Sequence, residues 1–181
     1  ARVGLLGCGA IGSRVAKMLQ GMDVEVLVFD PFLSDERAAE LQVRKTTMEE
    51  IFATCDVISN HLANLPATRH IIKKEHLFSM RPYATFINTG RGAQLDEMEL
   101  KDALLADPTR TALMDVLDNE AAADANPLLY LRNCIVSPHM AGSSGNEVHR
   151  MSESMLDTFA AVRAGEKVAC EVTLAQLETM A

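Results

Sequence analysis

A chain of 181 residues, 48% of them apolar, is long enough to build one domain with a substantial core. The formal net charge of −8 argues against a nucleic-acid or membrane-surface partner, because phosphate binding requires a basic patch and the sequence shows none. The four cysteines are far apart and form no C-x-x-C pair. They indicate reduced thiols in a cytoplasmic protein, and neither a disulfide framework nor a zinc site.

The first predicted element is an apolar strand at residues 3–6, which runs into a glycine-rich turn and then a helix over roughly residues 10–19. In this G-x-G-x-x-G turn, Gly7 permits the tight bend and Gly9 leaves room for the backbone to approach a pyrophosphate. Gly12 lets the helix lie close to the strand. The N-terminus of the helix offers free N–H groups to the same phosphates, so the turn predicts a dinucleotide site.

A second apolar strand at residues 24–29 ends in Asp30, eighteen residues after Gly12. A dinucleotide fold places a carboxylate there to accept hydrogen bonds from the adenosine ribose hydroxyls. Residues 31–34 carry no cation for the 2′-phosphate of NADP, which predicts a preference for NAD. Cys8 lies inside the glycine turn, where a helix N-terminus favours a thiolate; a small, buried and inert thiol is the alternative.

The remaining elements alternate between helix and strand along the chain. They are a helix at 34–41 with Ser34 as its N-cap, an extended piece near 43, a capping box at 47–50 that opens a helix ending near 55, a strand at 56–60, a loop at 61–69, a helix at 74–80, a strand at 84–88, a glycine turn at 89–92, a helix at 96–105, a strand at 111–116, a loop at 118–126, a strand at 134–137 and a helix at 144–164. The alternation predicts an α/β fold with a doubly wound parallel sheet, Rossmann-like and covered on both faces.

Chemically capable side chains follow the predicted strands, where ligands bind in such sheets. They are His61, Arg91, Asp115, Glu120 and His139. Taken alone, Arg91 also suits a turn, Glu120 a solvated loop and His139 a helix entry. No His, Cys or carboxylate pairs have the spacing of metal ligands, so no metal site is predicted. Three further histidines are assigned to the surface, namely His70, His76 and His149.

Four stretches resemble the D-2-hydroxyacid dehydrogenases. Residues 86–97 resemble that family's I-N-x-x-R-G-x-x-x-D-E signature, and residues 113–120 its L-D-V-F-x-x-E stretch. Residues 126–142 are similar to its N-P-L-L…T-P-H-x-A-G segment, and residues 61–69 match its H-x-P-x-x-P-x-T-R loop in part. The resemblance runs from Arg2 to about Gly165, in the family's order.

The resemblance implies an NAD-dependent oxidoreductase that transfers a hydride between NAD and a D-2-hydroxy acid or 2-oxo acid. Arg91 would then hold the substrate carboxylate and polarise the carbonyl, a task for a planar fork of donors. His139 would donate the proton to the carbonyl oxygen and take it back in the reverse direction, and Glu120 would orient the imidazole of His139. The implied cofactor-binding residues are Gly7, Gly9, Ala10, Ile11, Gly12, Asp30, Leu62, Thr89, Gly90, Arg91, Asp115, His139 and Gly142.

Some positions depart from the family pattern. Ala63 stands where a proline is usual and Leu117 where a phenylalanine is usual, while Ala121 and Ala122 replace a proline after the catalytic glutamate. These changes affect the expected geometry of the loops and leave the residue assignments in place.

The resemblance also implies a domain division. We expect residues 1–165 to form the dinucleotide-binding domain and residues 166–181 to be a tail leading towards a substrate domain that is largely absent, as in an isolated cofactor domain. A homodimer formed through cofactor domains is expected. A non-catalytic NAD-binding regulator of the corepressor type is the alternative function. A methyltransferase that binds S-adenosylmethionine would share the glycine turn but give no reason for Arg91, Glu120 and His139 to coincide.

Overall fold

The computed structural model describes residues 1–168 and 170–177. The strands are β1 (Arg2–Leu6), β2 (Glu25–Phe29), β3 (Arg44–Lys45), β4 (Val57–Asn60), β5 (Thr85–Asn88), β6 (Thr111–Met114) and β7 (Cys134–Val136). The α-helices are α1 (Gly12–Leu19), α2 (Asp35–Glu40), α3 (Met48–Thr54), α4 (Lys74–Ser79), α5 (Glu97–Ala106), α6 (Asn146–Arg163) and α7 (Leu174–Leu177). Short 3-10 helices lie at Pro66–Thr68, Gly92–Gln94, Glu120–Ala125 and Pro127–Tyr130.

All neighbouring strands are parallel, in the order β3-β2-β1-β4-β5-β6-β7. The chain runs outward from β1 to β3 and then crosses to β4 on the other side of β1. Leu5, for example, pairs with Val28 on one side and Ser59 on the other. This doubly wound sheet confirms the predicted fold class. Its topological switch point lies between β1 and β4, where the fold forms a crevice at the carboxyl ends.

The sheet has an apolar cluster on each face. Successive strand residues point to opposite faces, so Leu6 and Leu27 enter the cluster that packs against α3, α4 and α5. Leu5 and Val28 enter the cluster that packs against α1 and α2. Burial on both faces explains why β1 and β2 are nearly continuous apolar runs without alternation.

The N-caps at Ser34 and Thr47 follow the predicted local chemistry, whereas the reciprocal half of the capping box at 47–50 is absent, because the Glu50 carboxylate accepts from Arg44 and Thr46 instead. The Ser34 side chain accepts a hydrogen bond from the backbone of Arg37 at 3.1 Å, and Thr47 accepts one from Glu50 at 3.2 Å. These bonds satisfy amides that have no partner inside α2 and α3.

Some predictions of local structure and of burial differ from the structure. The first helix begins at Gly12 and not at 10, because Ala10 and Ile11 complete the turn before it. The predicted loop at 118–126 contains the 3-10 helix Glu120–Ala125, which is too short to show a periodic pattern. His76 is buried and not on the surface: its ring stacks on Phe52, with ring centroids 5.4 Å apart.

The C-terminal part stands apart from the core. Helix α6 buries none of its residues and leaves a set of large apolar side chains exposed, namely Val148, Met151, Met155, Leu156, Phe159 and Val162. The predicted tail at 166–181 includes α7, while residues 169 and 178–181 lie outside the described residues. No helix in the described part of the chain is both long enough and apolar enough to span a membrane.

Candidate active site

The glycine turn forms where β1 meets α1, and two of its glycines are required by close contacts. Gly7 has a φ of +89°, and a Cβ there would lie 2.7 Å from the carbonyl oxygen of His61. A Cβ on Gly12 would lie 2.1 Å from the carbonyl oxygen of Gly7, so a side chain would push the helix off the strand. Gly9 has no heavy atom within 4 Å of its Cβ position. The turn therefore presents open backbone at the start of α1.

Asp30 ends β2 beside this turn and is fixed by two backbone amides. One carboxylate oxygen accepts from the amide of Cys8 at 2.7 Å and the other from the amide of Phe32 at 2.8 Å. Each carboxylate oxygen has a second lone pair for a further donor. Of the two alternatives for Cys8, the structure favours the buried, inert thiol, because burial raises the pKa of this thiol and the charge of Asp30 raises it further.

A cavity of about 320 Å³ opens at the carboxyl ends of β1, β2, β4 and β5. Nine of the thirteen predicted cofactor residues line it: Gly7, Gly9, Ala10, Ile11, Asp30, Leu62, Thr89, Gly90 and Arg91. The other four predicted residues, Gly12, Asp115, His139 and Gly142, are outside this lining. Prediction from sequence missed part of the lining. The missed residues lie around Asp30, in the loop at 61–69 and just after it; they are Phe29, Pro31, Phe32, Ala63, Asn64, Leu65, Thr68 and Ile71.

His61 also lines the cavity, at the end of β4. Its Nε2 lies 2.9 Å from the hydroxyl of Ser59, and burial lowers the pKa of the imidazole. The neutral form is therefore favoured at this wall of the cavity.

A buried cluster of three amide side chains joins the loops after β4 and β5. Nδ2 of Asn60 donates to Oδ1 of Asn88 at 2.9 Å and to Oε1 of Gln94 at 2.6 Å. Nε2 of Gln94 donates to the carbonyl oxygens of Leu62 and Ala63, both at 3.0 Å. The cluster fixes the backbone of one cavity wall, because each of these amides has its partners inside the protein.

Arg91 is anchored by the same cluster. Its backbone N–H donates to Oε1 of Gln94 at 3.1 Å, and its carbonyl accepts from Nδ2 of Asn88 at 3.2 Å. The guanidinium donates to the carbonyl oxygen of Gly90 at 2.8 Å and is exposed at the cavity. The backbone is thus held rigidly while the charged end faces solvent.

His139 and Glu120 form an ion pair beyond the ends of β7 and β6. Nδ1 of the imidazole lies 2.8 Å from one carboxylate oxygen and 3.0 Å from the other. A carboxylate only accepts, so Nδ1 carries hydrogen and Nε2 is left for exchange with another molecule. Both side chains are about half-exposed, at 45% and 46%. His139 has a φ of +51°, a left-handed conformation that costs energy for a residue with a Cβ.

Asp115 holds the strained loop that carries His139. Its carboxylate accepts from the hydroxyl of Ser137 at 2.6 Å and from the amides of Met140 and Ala141, both at 2.8 Å. Burial by itself raises the pKa of Asp115, but these hydrogen bonds outweigh it and bring the pKa below its usual value. The contacts show Asp115 as an anchor of the loop, a role that its position at the end of a strand did not indicate.

The sequence-predicted residues therefore fall into two groups along one edge of the sheet. The glycine turn, Asp30 and Arg91 surround the cavity, and the Glu120–His139 pair lies further along, on the loops after β6 and β7. In residues 1–168 and 170–177, no group of three or more His, Cys, Asp or Glu side chains is placed to hold a metal ion.

Residues 1–141 match the family described as D-isomer specific 2-hydroxyacid dehydrogenase, NAD binding domain. The chain belongs to this family. The matched residues include the glycine turn, Asp30, Arg91, Glu120 and His139. The D-2-hydroxyacid dehydrogenase domain takes NAD as its cofactor, and the residues at the turn fit this cofactor because Gly9 leaves the backbone open to a phosphate group beside the Asp30 carboxylate.

The relatives agree with this assignment. D-3-phosphoglycerate dehydrogenase of Mycobacterium tuberculosis is 33% identical over 166 residues, which are 92% of this chain and 31% of that protein. Glyoxylate reductase of Korarchaeum cryptofilum is 31% identical over 164 residues, which are 91% of this chain and 49% of that protein. The crystal structure of D-lactate dehydrogenase with NAD+ from Lactobacillus jensenii superposes with a TM-score of 0.82 at 29% identity, covering 95% of this chain and 55% of that one. The chain thus spans about a third to a half of these D-2-hydroxyacid dehydrogenase relatives.

Proposed function

We propose that this domain serves an NAD-dependent oxidoreductase that interconverts a D-2-hydroxy acid and a 2-oxo acid. The observation that carries the proposal is the Glu120–His139 pair, which meets at 2.8 Å along the same sheet edge as the cofactor cavity. An imidazole oriented by a carboxylate is the arrangement that general acid–base catalysis requires. The relatives named as dehydrogenases and a reductase support this activity over a non-catalytic NAD-binding regulator.

The cofactor proposal starts at the glycine turn. The backbone amides of Ala10 and Ile11 lie at the start of α1, where the helix dipole and unpaired N–H groups favour a pyrophosphate. Gly9 leaves the space through which that group approaches. Asp30 accepts the adenosine ribose hydroxyls with the lone pairs that Cys8 and Phe32 leave free.

The nicotinamide end is proposed to lie along the loops after β4, β5, β6 and β7. Leu62, Thr89 and Gly90 line the cavity on that side. Asp115 and Gly142 belong to the loops beyond it, and Asp115 contributes by holding the His139 loop in place. Bound NAD supplies or accepts the hydride.

The substrate proposal rests on Arg91. Its guanidinium presents a planar fork of donors, which suits bidentate binding of the carboxylate that every 2-hydroxy acid and 2-oxo acid carries. A remaining N–H of the fork polarises the neighbouring carbonyl oxygen. Asn88 and Gln94 of the buried amide cluster fix the backbone of Arg91, so the guanidinium extends from a backbone whose position is defined.

The proton is handled by His139. Its Nε2 donates a proton to the carbonyl oxygen when the 2-oxo acid is reduced and takes it back when the hydroxy acid is oxidised. Glu120 keeps hydrogen on Nδ1, so that Nε2 is the nitrogen that exchanges the proton with the substrate.

We further propose a cytoplasmic homodimer in which residues 1–165 form the cofactor-binding domain and residues 166–181 lead towards a substrate domain. The apolar side chains that α6 exposes support an interface there, since a contiguous apolar face of this kind marks a contact with another protein surface. The free cysteines support a reducing compartment. Sedimentation velocity tests the dimer, and a monomer at all concentrations would refute it.

The function is tested in a complete dehydrogenase that carries this domain. We expect His139→Ala to lower kcat about 10²–10⁴-fold, the usual contribution of a positioned acid or base. NAD affinity by calorimetry serves as the control and should change little, because His139 lies outside the lining of the cavity. Turnover close to that of the unmodified enzyme would remove His139 from the mechanism.

A further inference from the structure

The segment that carries Glu120 has little of its own to hold it in place. We call residues 118–126 the Glu120 loop. Its 3-10 helix, Glu120–Ala125, buries no residue and is kinked at Ala122, where φ is −116° and ψ is 30°. Ala121 and Ala122 also leave the loop without the backbone restriction that a proline would supply. Only Ala123 packs against the core, at partial burial, and the hydroxyl of Tyr130 donates to the carbonyl oxygen of Asp124 at 2.9 Å. These contacts lie at the C-terminal half of the loop and do not touch the Glu120 carboxylate.

One carboxylate outside the loop contacts both of its ends. Oε1 of Glu97 accepts from the backbone N–H of Asp118 at 2.8 Å, and Oε2 accepts from Nδ2 of Asn126 at 2.5 Å. Glu97 lies in the first turn of α5, a helix capped by the side chain of Asp96. A rigid helix thus holds the first and last residues of the Glu120 loop together through one side chain. Hydrogen bonds to an ionised acceptor are about twice as strong as neutral ones.

The polarity of this contact is fixed at the Asn126 end. Oδ1 of Asn126 accepts from the backbone N–H of Leu128 at 3.0 Å, which caps the 3-10 helix Pro127–Tyr130. The amide cannot turn over without losing that bond, so its NH₂ group must face residue 97. Only an acceptor at residue 97 satisfies it.

We propose that Glu97 is a positioning residue that closes the Glu120 loop and thereby holds the Glu120 carboxylate against Nδ1 of His139. The inference rests on the proposed roles of Glu120 and His139 as the proton-handling pair. It adds a third carboxylate, which touches neither substrate nor cofactor and acts through Glu120. The charged groups that face the imidazole are Glu120 and the buried carboxylate of Asp115.

The test uses a reciprocal exchange of donor and acceptor in the 181-residue chain. Glu97→Gln leaves one acceptor oxygen for two donors, so its NH₂ group faces the N–H of Asp118 or the NH₂ group of Asn126 and one bond of the clamp is lost. Asn126→Asp places two carboxylates in contact, so each single change breaks the clamp. Combining them restores it with reversed polarity: the new amide donates to the new carboxylate, which still caps Leu128. Asn126→Ser is a milder variant that keeps a capping oxygen but does not reach residue 97.

The readout is the tautomer of the neutral His139 ring, obtained from the nitrogen chemical shifts of isotope-labelled histidine at a pH well above the imidazole titration range. A His139→Gln variant assigns the signal, and Glu120→Gln gives the ratio for a ring without its carboxylate. We expect each single change to lower the ratio of the Nδ1–H form to the Nε2–H form about two- to fivefold, the effect of weakening one half-exposed hydrogen bond from the neutral ring to a carboxylate. The double variant should return to the ratio of the unmodified chain.

Unfolding temperatures show which variants are folded at the temperature of measurement. An unchanged ratio in folded Glu97→Gln and Asn126→Asp would overturn the proposal. A folded double variant that stays at the ratio of the singles would overturn it too, because the clamp would then not be the cause. Where a single variant does not fold, Asn126→Ser decides in the same way. The readout needs no substrate, so it remains valid for a chain that lacks dehydrogenase activity.

Discussion

Replacing Gln94 by leucine tests whether the buried amide cluster holds the cofactor wall together. Gln94 is 1% exposed and makes four hydrogen bonds: two accepted, from Asn60 and Arg91, and two donated, to Leu62 and Ala63. Leucine fills a similar volume and satisfies none of them. The most costly loss is at Asn60, because it is fully buried and water cannot replace the missing acceptor.

The expected loss in the free energy of unfolding follows from the difference in burial between Asn60 and the other three partners of Gln94. An orphaned buried donor costs about 1–3 kcal/mol, and each bond that water can partly replace costs about 0.5 kcal/mol. We therefore expect Gln94→Leu to lower the free energy of unfolding by about 2.5–4.5 kcal/mol, from one orphaned donor and three bonds of the weaker kind. Urea titration followed by circular dichroism measures it through the transition midpoint at an unchanged slope.

The double variant Asn60→Leu/Gln94→Leu is the matched control. Removing both partners leaves no orphan between them, so its cost should be smaller than the sum of the two single costs. A loss below about 0.5 kcal/mol for Gln94→Leu, the range of ordinary surface substitutions, would refute the reasoning.

Three further outcomes are expected. Calorimetry should show tighter binding of NAD than of NADP, because Asp30 repels a 2′-phosphate. Asp30→Ala should reduce this difference in affinity, and tighter NADP binding by the unmodified chain would contradict the prediction. Gly92→Ala should yield little folded protein on expression, since its Cβ would lie 2.1 Å from the backbone of Leu117; normal yield and NAD binding would be evidence against the contact. The folded pKa of Asp115 lies below its usual value of 3.8, so its stabilisation is present above that pH and lost as the pH falls through the folded value. Urea titrations at neutral and acidic pH should show the stability difference between the unmodified chain and Asp115→Asn shrinking below about pH 4, and a constant difference would rule the contribution out.

The parts of this protein that the sequence predicts are those fixed by local chemistry. The bend at Gly7, the cap at Ser34 and the carboxylate at Asp30 depend on residues a few positions apart or on one adjacent strand. Apolar runs identify the strands because a parallel sheet is buried on both faces. A parallel sheet then places the carboxyl ends of its strands along one edge, so the residues that follow the strands lie near one another.

The parts that could not be predicted depend on contacts between distant segments. Asn60 and Gln94 are 34 residues apart, and their pairing follows from the register of β4 against β5 and the turn after it. His76 is buried because α4 places it on Phe52 of α3, a contact that no periodicity in either helix reveals. The contact of Glu97 with Asn126 likewise joins a helix to a loop 29 residues away.

The cofactor half of the site is buried and fixed by hydrogen bonds, whereas the side chains proposed to act on the substrate are exposed to solvent. The cofactor half is built from buried amides, whereas Arg91 is exposed and the Glu120–His139 pair is about half-exposed. An ion pair in contact with water contributes only about 0–1 kcal/mol, and hydride transfer needs the reacting atoms held about 3–3.5 Å apart with water excluded. We therefore expect residues 1–181 alone to bind NAD in calorimetry but to show no NAD reduction with 2-hydroxy acids, because nothing in the described structure covers these side chains. Substantial turnover by this chain alone would mean that the exposed groups are sufficient for catalysis.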